Sequence, residues 1–578
     1  MTKFVFLMFS RKHFIKIIIF SFCLLLLAPL VKADYTGQQN SFFVEPSYDL
    51  SNRSQLNATL ILTTSKLYFY VDASWWASLT YADRDTANRN LYYLFHRFED
   101  EDYSVLVKTF GSEAKPGIDN DEHITVLIHS MTANISGYVR SVDLYEQAKK
   151  SNSNQREMVY LNSEKILTAS ASQIGYYLAH EFMHLITLNQ KDAAGAATDD
   201  VWLNEARAEY ISTLLGYDAS YSGSNLEQRV NDFWQNPSVS LLDWQNDRYH
   251  YAVTDLFAQY LADQYGVKIL VDSLHSKLSG IDSINEALKN NGFSEDFSQV
   301  FQNWALAVLL NDCNVGVKYC YKNSQLANLR IFPYGYYLPD TGSSNLAVSN
   351  NLTSWAGNWL KIVGGKDVLK LDFNFPANIK FSLPYVTADQ VGNKTVKFWS
   401  DSAGYSGTII VPSFNTTNVA LFLMPIIIEN PAAGSSSYVF KWQASTITEA
   451  ERPQAEKAAE QKMSIFLMSR IKQLKAQLAA LLSQLATLQG KPSNPGNLSC
   501  GKFYNDLYFG LENNSEVSCL QRFLLSQASD IYPEGLISGN YFGLTKAAVI
   551  KYQAKNSLPQ TGYFGPLTRS LVNNQLSQ

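Results

Sequence analysis

The chain has 578 residues, of which 46% are hydrophobic and 17% charged. This length predicts several domains, and the apolar content, with 32 Phe and 34 Tyr, excludes a mostly disordered chain. The net charge of −5 gives no overall basic field, so nucleic acid is not an expected partner.

The N-terminal segment has the features of an export signal. Residues 1–33 contain five basic residues and no acidic one, and an apolar run occupies positions 17–31. At about 15 residues, this run is shorter than the ~20 that a spanning helix needs, which favours a secretory signal over a retained anchor. The small residues Val31 and Ala33 predict cleavage after Ala33, and hence a protein that is secreted or held at the cell surface.

The cysteines agree with export. Cys23 leaves with the signal, and an even number, four, remains. Even counts in exported chains predict disulfides, and the local spacing favours pairing Cys313 with Cys320 and Cys500 with Cys519. A zinc site is the alternative for either pair, but neither has CxxC spacing or a nearby histidine.

Residues 34 to about 165 are predicted to form an α/β part. Short apolar runs such as LYFYV (67–71) and ITVLI (124–128) alternate with turns up to about residue 155. The oxygens of Asp119, Asn120 and Asp121 could hold Ca²⁺, or these residues could form a polar turn that leads into the second strand.

The following stretch, 165–310, is predicted to be helical. Apolar residues recur with helical periodicity in four runs, around 173–188, 200–215, 250–265 and 297–310. We assign both parts to one domain, residues 34–325.

The first helical run contains the sequence HEFMH. His180 and His184 are four residues apart and share one helix face, so both imidazoles can reach one zinc ion. Glu181 lies beside them and can hold a water molecule against that ion. A buried helix with two hydrogen-bonded histidines would show the same pattern, so a third ligand is needed to decide.

A third ligand occurs in the second run, which contains WLNEARAEY. Glu205 and Glu209 stand one turn apart on the same helix face. Two histidines and Glu205 leave one zinc position open, as in catalytic sites. Glu209 is placed to orient a ligating histidine. The alternative is a solvated acidic face, but apolar residues surround both carboxylates.

These motifs resemble the gluzincin metallopeptidases, in particular the hyicolysin family with its HE-x-x-H and later W-L-N-E-G-x-x-E-Y. The similarity covers about residues 60–310 and includes PGIDNDEHITVLI, GYVRSVDLY and SNSNQREMVYLN. It implies a zincin-type fold, the same three ligands for one catalytic Zn²⁺, and Glu181 as general base in peptide-bond hydrolysis. Two features differ: Ala206 replaces the family's glycine, and Glu205 follows His184 by 21 residues.

Peptide hydrolysis also needs a donor for the oxyanion of the tetrahedral intermediate. Similar enzymes supply a Tyr or His from a downstream helix, and RYHY opens the run 250–265. Tyr251 is the first candidate and His250 the second. Both could equally be ordinary packing residues, because the assignment rests on position in the chain alone.

Two further segments follow the predicted peptidase domain. Residues 335–446 contain short strand-like runs separated by Gly, Asn, Asp and Pro, which predicts an all-β, sandwich-like domain. Residues 454–489 contain no Gly or Pro and have a 3-4 apolar spacing, which predicts a coiled-coil helix. Its seam consists of Leu467, Ile471, Leu474, Leu478, Leu481, Leu485 and Leu488. The seam could form a homo-oligomer or pack on its own chain.

The C-terminal residues 498–578 follow a linker at 490–497 and are predicted to form three short helices. Thr545 and Thr568 are predicted to cap the second and third. EVSCLQRFL, YFGLTKAAVIKYQ and TGYFGPLT resemble, in order, the peptidoglycan-binding-like domain of bacterial wall enzymes. This resemblance implies attachment to peptidoglycan, but does not identify the residues that contact it.

The sequence therefore predicts a multidomain α+β protein: signal peptide, zincin-type metallopeptidase, β-sandwich, coiled coil and wall-binding domain. The predicted function is a secreted, wall-associated zinc metalloendopeptidase acting on proteins or peptides. One alternative is a hydrolase of peptidoglycan stem peptides. Another is a catalytically inactive structural or adhesive wall protein, which the complete ligand set argues against.

Overall fold

The computed structural model describes residues 33–196, 198–341, 344–400, 404–429, 437–488, 500–528 and 530–577. The predicted signal peptide, apart from Ala33, and the predicted linker lie outside these residues. The chain divides into two compact units, Met1–Leu467 and Met468–Gln578. In the described ranges, no helix has the length and apolar character needed to cross a bilayer.

The first unit begins with a mixed sheet. Its strands are β1 (Gln39–Phe43), β2 (Gln55–Thr63), β3 (Leu67–Asp72), β4 (Ile124–His129), β5 (Gly137–Tyr138) and β6 (Met158–Asn162), in the order β1-β2-β3-β4-β6-β5. Strands β3, β4 and β6 are parallel and buried on both faces, which explains their continuous apolar sequences. The two predicted strands are confirmed. Strand β5 runs antiparallel to β6 at one end of this order.

Helices cover one face of the sheet and share its main hydrophobic core. They are α1 (Ala73–Ser78), α2 (Tyr81–Arg97), α3 (Tyr103–Phe110), α4 (Ser163–Thr168), α5 (Ala171–Ala193), α6 (Val201–Leu214), α7 (Asn225–Gln235), α8 (Arg248–Tyr265), α9 (Lys268–His275), α10 (Gly280–Asn290) and α11 (Phe297–Leu310). The four predicted helical runs are confirmed as α5, α6, α8 and α11. Helices α1, α2 and α3 lie before residue 155, in the predicted α/β part, where the sequence pattern showed strand-like runs and turns but did not locate the helices. In α2 only Ala87, Leu91 and Leu94 are buried, so its apolar stripe is too narrow to stand out.

The following segment forms two facing sheets, as the short alternating runs predicted. The strands are β7 (Tyr334–Leu338), β8 (Asn345–Thr353), β9 (Leu360–Gly364), β10 (Val368–Asn374), β11 (Phe381–Asp389), β12 (Lys394–Ser400), β13 (Ser406–Val411), β14 (Asn418–Leu423), β15 (Ile426–Ile427) and β16 (Ser437–Ile447). One sheet has the order β13-β10-β16-β8 and the other β12-β11-β14-β9-β7, with β15 beside β11. Leu371 and Phe440 of the first sheet share a core with Phe381 and Leu421 of the second.

The sandwich packs directly against the helical part. The Trp359 indole donates a hydrogen bond of 2.9 Å to the Ala305 carbonyl in α11, and Trp355 and Trp359 belong to the same core as the helices. The sandwich and the predicted peptidase domain therefore form one packed body within the first unit.

Helix α12 (Arg452–Leu488) covers the predicted coiled-coil segment. Its seam residues are exposed by 41% to 62%, namely Leu467, Ile471, Leu474, Leu478 and Leu481. The side chains of Leu485 and Leu488 lie outside the described residues. The described seam residues are thus available for contact with another chain, and self-association through them stays a prediction.

The C-terminal domain contains the three expected helices, α13 (Ser515–Ser526), α14 (Gly543–Lys555) and α15 (Pro566–Gln575). Leu520, Val549 and Phe564 belong to its own small core. A disulfide joins Cys500 to Cys519 here, and another joins Cys313 to Cys320 in the first unit. Both bonds are the pairs that local spacing predicted.

The two threonines predicted as helix caps have another role. Helices α14 and α15 begin two residues earlier, so Thr545 and Thr568 lie inside the first turns. Their hydroxyls accept hydrogen bonds of 2.9 Å from the buried Gln521 and Gln553 amides. The capping prediction is wrong because each threonine joins two helices rather than starting one.

Candidate metal centre

Two helices of the first unit carry the predicted metal ligands. Helix α5 opens with a capping box in which Ser170 and Gln173 bond reciprocally. The helix is closely packed, because a Cβ atom on Gly175 would lie 2.5 Å from the Tyr217 hydroxyl. The capping box fixes where α5 begins, and the Tyr217 contact shows how closely the helix packs against the segment after α6.

The side chains of His180, His184 and Glu205 converge. The Nε2 atoms of His180 and His184 lie 3.4 Å and 3.7 Å from Glu205 Oε2. One ligand atom from each residue lies within 4.8 Å of the others. These nitrogen and carboxylate donors match the ligand types that Zn²⁺ takes in catalytic sites.

The hydrogen bonding of the Glu205 carboxylate tests whether these three residues fit a metal ion. Its Oε2 atom is buried and accepts no hydrogen bond from any described residue. Buried carboxylate oxygens normally have a partner, since leaving one unsatisfied is costly. A cation held between Glu205 and the two imidazoles would satisfy this atom, so the three residues fit a metal ion.

The other nitrogen of each imidazole is held by a neighbouring side chain. His180 Nδ1 lies 3.1 Å from the Tyr176 hydroxyl, which donates to Glu209 Oε1 at 3.0 Å. His184 Nδ1 lies 3.1 Å from Asn204 Oδ1. Such partners fix the tautomer and ring orientation of a metal-binding histidine. We expected Glu209 to orient a histidine directly, but its Oε1 atom lies 3.6 Å from His180 Nδ1. The Tyr176 hydroxyl lies between these two groups and forms a hydrogen bond with each.

Glu209 is itself fully buried and well supplied with donors. Arg229 donates through Nε at 2.7 Å and Nη2 at 2.9 Å, and Asn225 donates at 2.9 Å. Burial alone would raise the pKa of Glu209, but the Arg229 charge, the hydrogen bonds from Arg229 and Asn225 and the nearby His180 together outweigh burial and hold the pKa below its usual value. Glu209 is therefore a fixed anion behind the histidine.

Glu181, the predicted general base, is buried beside the metal-site residues. Burial raises its pKa to about 8; the nearby Glu205 and Glu209 carboxylates add to this rise, and His184 opposes it. Strand β5 lies directly over it, because a Cβ on Gly137 would be 2.9 Å from Glu181 Cγ. Glycine is needed at this position for the strand to approach so closely.

The two candidate oxyanion donors lie in different environments. Tyr251 lines a cavity of about 440 Å³ together with His180, Glu181 and Arg229. Burial and the surrounding carboxylates raise the pKa of the Tyr251 phenol, so it remains a proton donor at neutral pH. The lining of this cavity does not include His250, whose Nδ1 lies 2.9 Å from Asp247 Oδ1.

Sequence reasoning missed Tyr176, Asn204, Asn225 and Arg229. The first two had a local signal, since Tyr176 precedes His180 by one helical turn and Asn204 precedes Glu205 directly. The other two come from α7, and their distance from Glu209 along the chain leaves no recognisable spacing.

The residues considered for calcium form a hydrogen-bonded turn. Asp121 Oδ2 accepts from the Tyr68 hydroxyl at 2.8 Å, and its Oδ1 lies 2.5 Å from His123 Nδ1. Asp119 Oδ1 accepts from the Asp121 backbone at 3.0 Å. Protein groups thus bond to these carboxylates, as the polar-turn interpretation expects.

Comparison with known families identifies the C-terminal domain. Residues 513–571 match the model of the family described as "Putative peptidoglycan binding domain". No curated protein matches the chain. The protein carries a C-terminal peptidoglycan-binding-like domain and is consistent with a cell-wall-associated protein.

Proposed function

We propose that this protein is a cell-wall-associated, zinc-dependent metallopeptidase with a zincin-type catalytic fold of the gluzincin class. The observation that carries the proposal is the convergence of two imidazoles on a buried carboxylate oxygen that lacks a hydrogen bond. His180, His184 and Glu205 would hold the ion. Bound there, zinc would supply a Lewis acid that polarises the scissile carbonyl and acidifies a water molecule.

The remaining chemistry belongs to side chains around that position. Glu181, ionised when a cation on the neighbouring ligands offsets the effect of burial on its pKa, takes a proton from the attacking water and delivers it to the leaving amine. Tyr251 lines the same cavity and donates its phenolic proton in a hydrogen bond to the developing oxyanion. Tyr176 and Glu209 keep His180 in one orientation throughout.

The surroundings of Glu181 suit an extended peptide. Strand β5 lies at an edge of the sheet and passes over Glu181, and a peptide could add to that edge through main-chain hydrogen bonds. A second cavity, of about 540 Å³, is lined by Leu185 and Leu188 of α5 and by Asn204, whose Oδ1 atom lies beside His184 Nδ1. Its volume is large enough for a substrate side chain.

The test compares the mature protein with a Glu181→Gln variant on casein. We expect elemental analysis to find zinc in both proteins. The wild type should cleave casein, and a chelator should remove this activity. The Glu181→Gln variant should lose at least about 10²-fold in kcat/KM. The matched control is Glu164→Gln, which removes an exposed carboxylate from α4 and should leave activity unchanged. Equal activity of wild type and Glu181→Gln, or absence of zinc, would overturn the proposal.

The second candidate is a hydrolase of peptidoglycan stem peptides, which the family match of residues 513–571 favours. Purified sacculi replace casein in the same experiment. Release of muropeptides by the wild type and not by Glu181→Gln would support this substrate. If neither substrate is cut and no zinc is bound, the chain is an inactive wall protein. Export and self-association through α12 remain predictions, and light scattering with and without residues 454–489 tests the latter.

A further inference from the structure

Besides Tyr504, the described part of the C-terminal domain exposes four aromatic rings that its core does not use. We call Tyr508, Phe509, Phe542 and Tyr563 the aromatic strip; their exposed fractions are 51%, 59%, 42% and 41%. Folding normally buries rings of this size, and exposed clusters of them mark binding surfaces.

The backbone brings the strip together from three places in the sequence. The segment carrying Tyr508 pairs with the loop before α15 through two hydrogen bonds between Leu507 and Phe564, of 3.1 Å and 2.9 Å. The same segment pairs with the loop before α14, because the Gly510 N–H donates a hydrogen bond of 2.9 Å to the Tyr541 carbonyl. Both loops are thereby fixed against one central segment.

Three of the four rings are in contact with another ring or held by a polar group. Phe509 and Phe542 lie with ring centroids 6.1 Å apart, and Lys546 Nζ is 5.9 Å from the Phe509 centroid. The Tyr563 hydroxyl donates to Asp506 at 2.6 Å, and Arg569 pairs with the same carboxylate. The strip is a positioned surface with a polar border.

The exposure of the strip does not result from poor packing. Leu507, Tyr541 and Phe564 are adjacent in sequence to strip residues, and all three are fully buried. Each segment therefore directs one apolar side chain inwards and at least one neighbouring ring outwards. A domain of about 80 residues can bury only a small apolar core. Leaving these four rings exposed therefore forgoes stabilisation that their burial would give, unless a ligand covers them.

We propose that the aromatic strip binds the glycan strand of the wall, stacking its rings on the apolar C–H faces of N-acetylated amino sugars. The inference rests on the peptidoglycan-binding assignment of residues 513–571 and goes further by naming the surface and the wall component. Flat rings with hydroxyl, carboxylate and amine groups at the border suit a sugar, which is apolar on its faces and polar at its edges.

The test is co-sedimentation of the full mature chain with purified sacculi, using Glu181→Gln throughout so that the wall stays intact. We expect the Tyr508→Ser/Phe509→Ser double variant to bind at least about tenfold more weakly. The Tyr508→Trp/Phe509→Trp variant, which keeps the rings, should retain binding. The matched control is Leu525→Ser/Leu576→Ser, which removes two exposed apolar side chains outside the strip and should bind as wild type.

Competition then identifies the wall component. Soluble oligomers of N-acetylglucosamine should displace the protein, and isolated stem peptides should not. Full binding by the serine double variant would overturn the strip while leaving wall attachment intact. Displacement by stem peptides alone would overturn the glycan assignment. If the parent chain does not sediment at all, wall attachment itself fails, and the strip proposal fails with it. Far-UV circular dichroism shows that each variant is folded.

Discussion

The Tyr176 hydroxyl offers a sharp test of how the candidate metal centre is held. It lies 3.1 Å from His180 Nδ1 and donates to Glu209 Oε1 at 3.0 Å. Tyr176→Phe removes this oxygen and keeps the ring. His180 Nδ1 is then left with Glu209 Oε1 at 3.6 Å, which is too long for a hydrogen bond.

The contacts give the size of the effect. Glu209 keeps its donors from Asn225 and Arg229, so the metal-free fold should lose only about 1–2 kcal/mol of unfolding free energy. Losing the partner that orients a metal-binding histidine typically weakens metal affinity by about 10- to 100-fold. This corresponds to about 1.4–2.8 kcal/mol of binding free energy.

Competition with a chromophoric chelator measures the zinc affinity, and urea titration of the metal-free protein measures stability. The matched control is Tyr177→Phe, which removes the neighbouring hydroxyl of α5 and leaves the Tyr176 bridge intact. A zinc affinity of Tyr176→Phe equal to that of the control would refute the view that this bridge positions His180.

Two further substitutions test the buried charges of the first unit. Arg229→Leu leaves the Glu209 carboxylate buried without its cation, so urea titration should show a loss of about 3–5 kcal/mol of unfolding free energy. Adding Glu209→Leu in the same chain should recover part of this loss. An unchanged urea midpoint for Arg229→Leu would contradict the prediction. His129 is buried beside Asp49 and Tyr138, and burial lowers its pKa from 6.5 to about 4. The unfolded chain therefore takes up a proton first, so this residue should reduce stability by up to about 3 kcal/mol as the pH falls from 6.5 to 4. His129→Gln should flatten that part of the pH profile, and an identical profile would rule the mechanism out.

The convergence of the candidate metal ligands could be predicted because helix geometry determines their spacing. His180 and His184 must share a face of any helix that contains both, whatever surrounds it. Glu205 was recognisable because the apolar residues around it argued against a solvated surface. Asn225 and Arg229 could not be found in this way, since only tertiary packing brings α7 to Glu209.

The choice between Tyr251 and His250 shows the same limit at shorter range. Adjacent residues on a helix point about 100° apart, so one of the two can face a site while the other faces the core. The direction depends on how α8 rotates against its neighbours. In the structure Tyr251 lines the cavity and His250 lies against Asp247.

The C-terminal domain shows that a repeated motif can mislead. Tyr-Phe-Gly occurs at 541–543 and again at 563–565. The structure instead aligns Gly539 with Gly562, since their N–H groups donate to the buried Gln521 and Gln553. The second triplet is displaced by one residue, so Tyr541 and Phe564 are buried while their neighbours form part of the aromatic strip.

The charges around the candidate metal centre give a further argument for a divalent cation. Glu181, Glu205 and Glu209 together carry a formal charge of about −3 when ionised, and Arg229 neutralises one of these charges through its paired bonds to Glu209. Glu181 and Glu205 remain beside two imidazoles, in surroundings where uncompensated charge is costly. Without a cation, burial holds the pKa of Glu181 at about 8, so this carboxyl is mostly protonated at neutral pH. A doubly charged ion would compensate the charge of both carboxylates and allow both to ionise, which a buried water molecule would not do. The arrangement therefore favours a metal site over a hydrogen-bonded histidine pair, the alternative that HExxH alone left open.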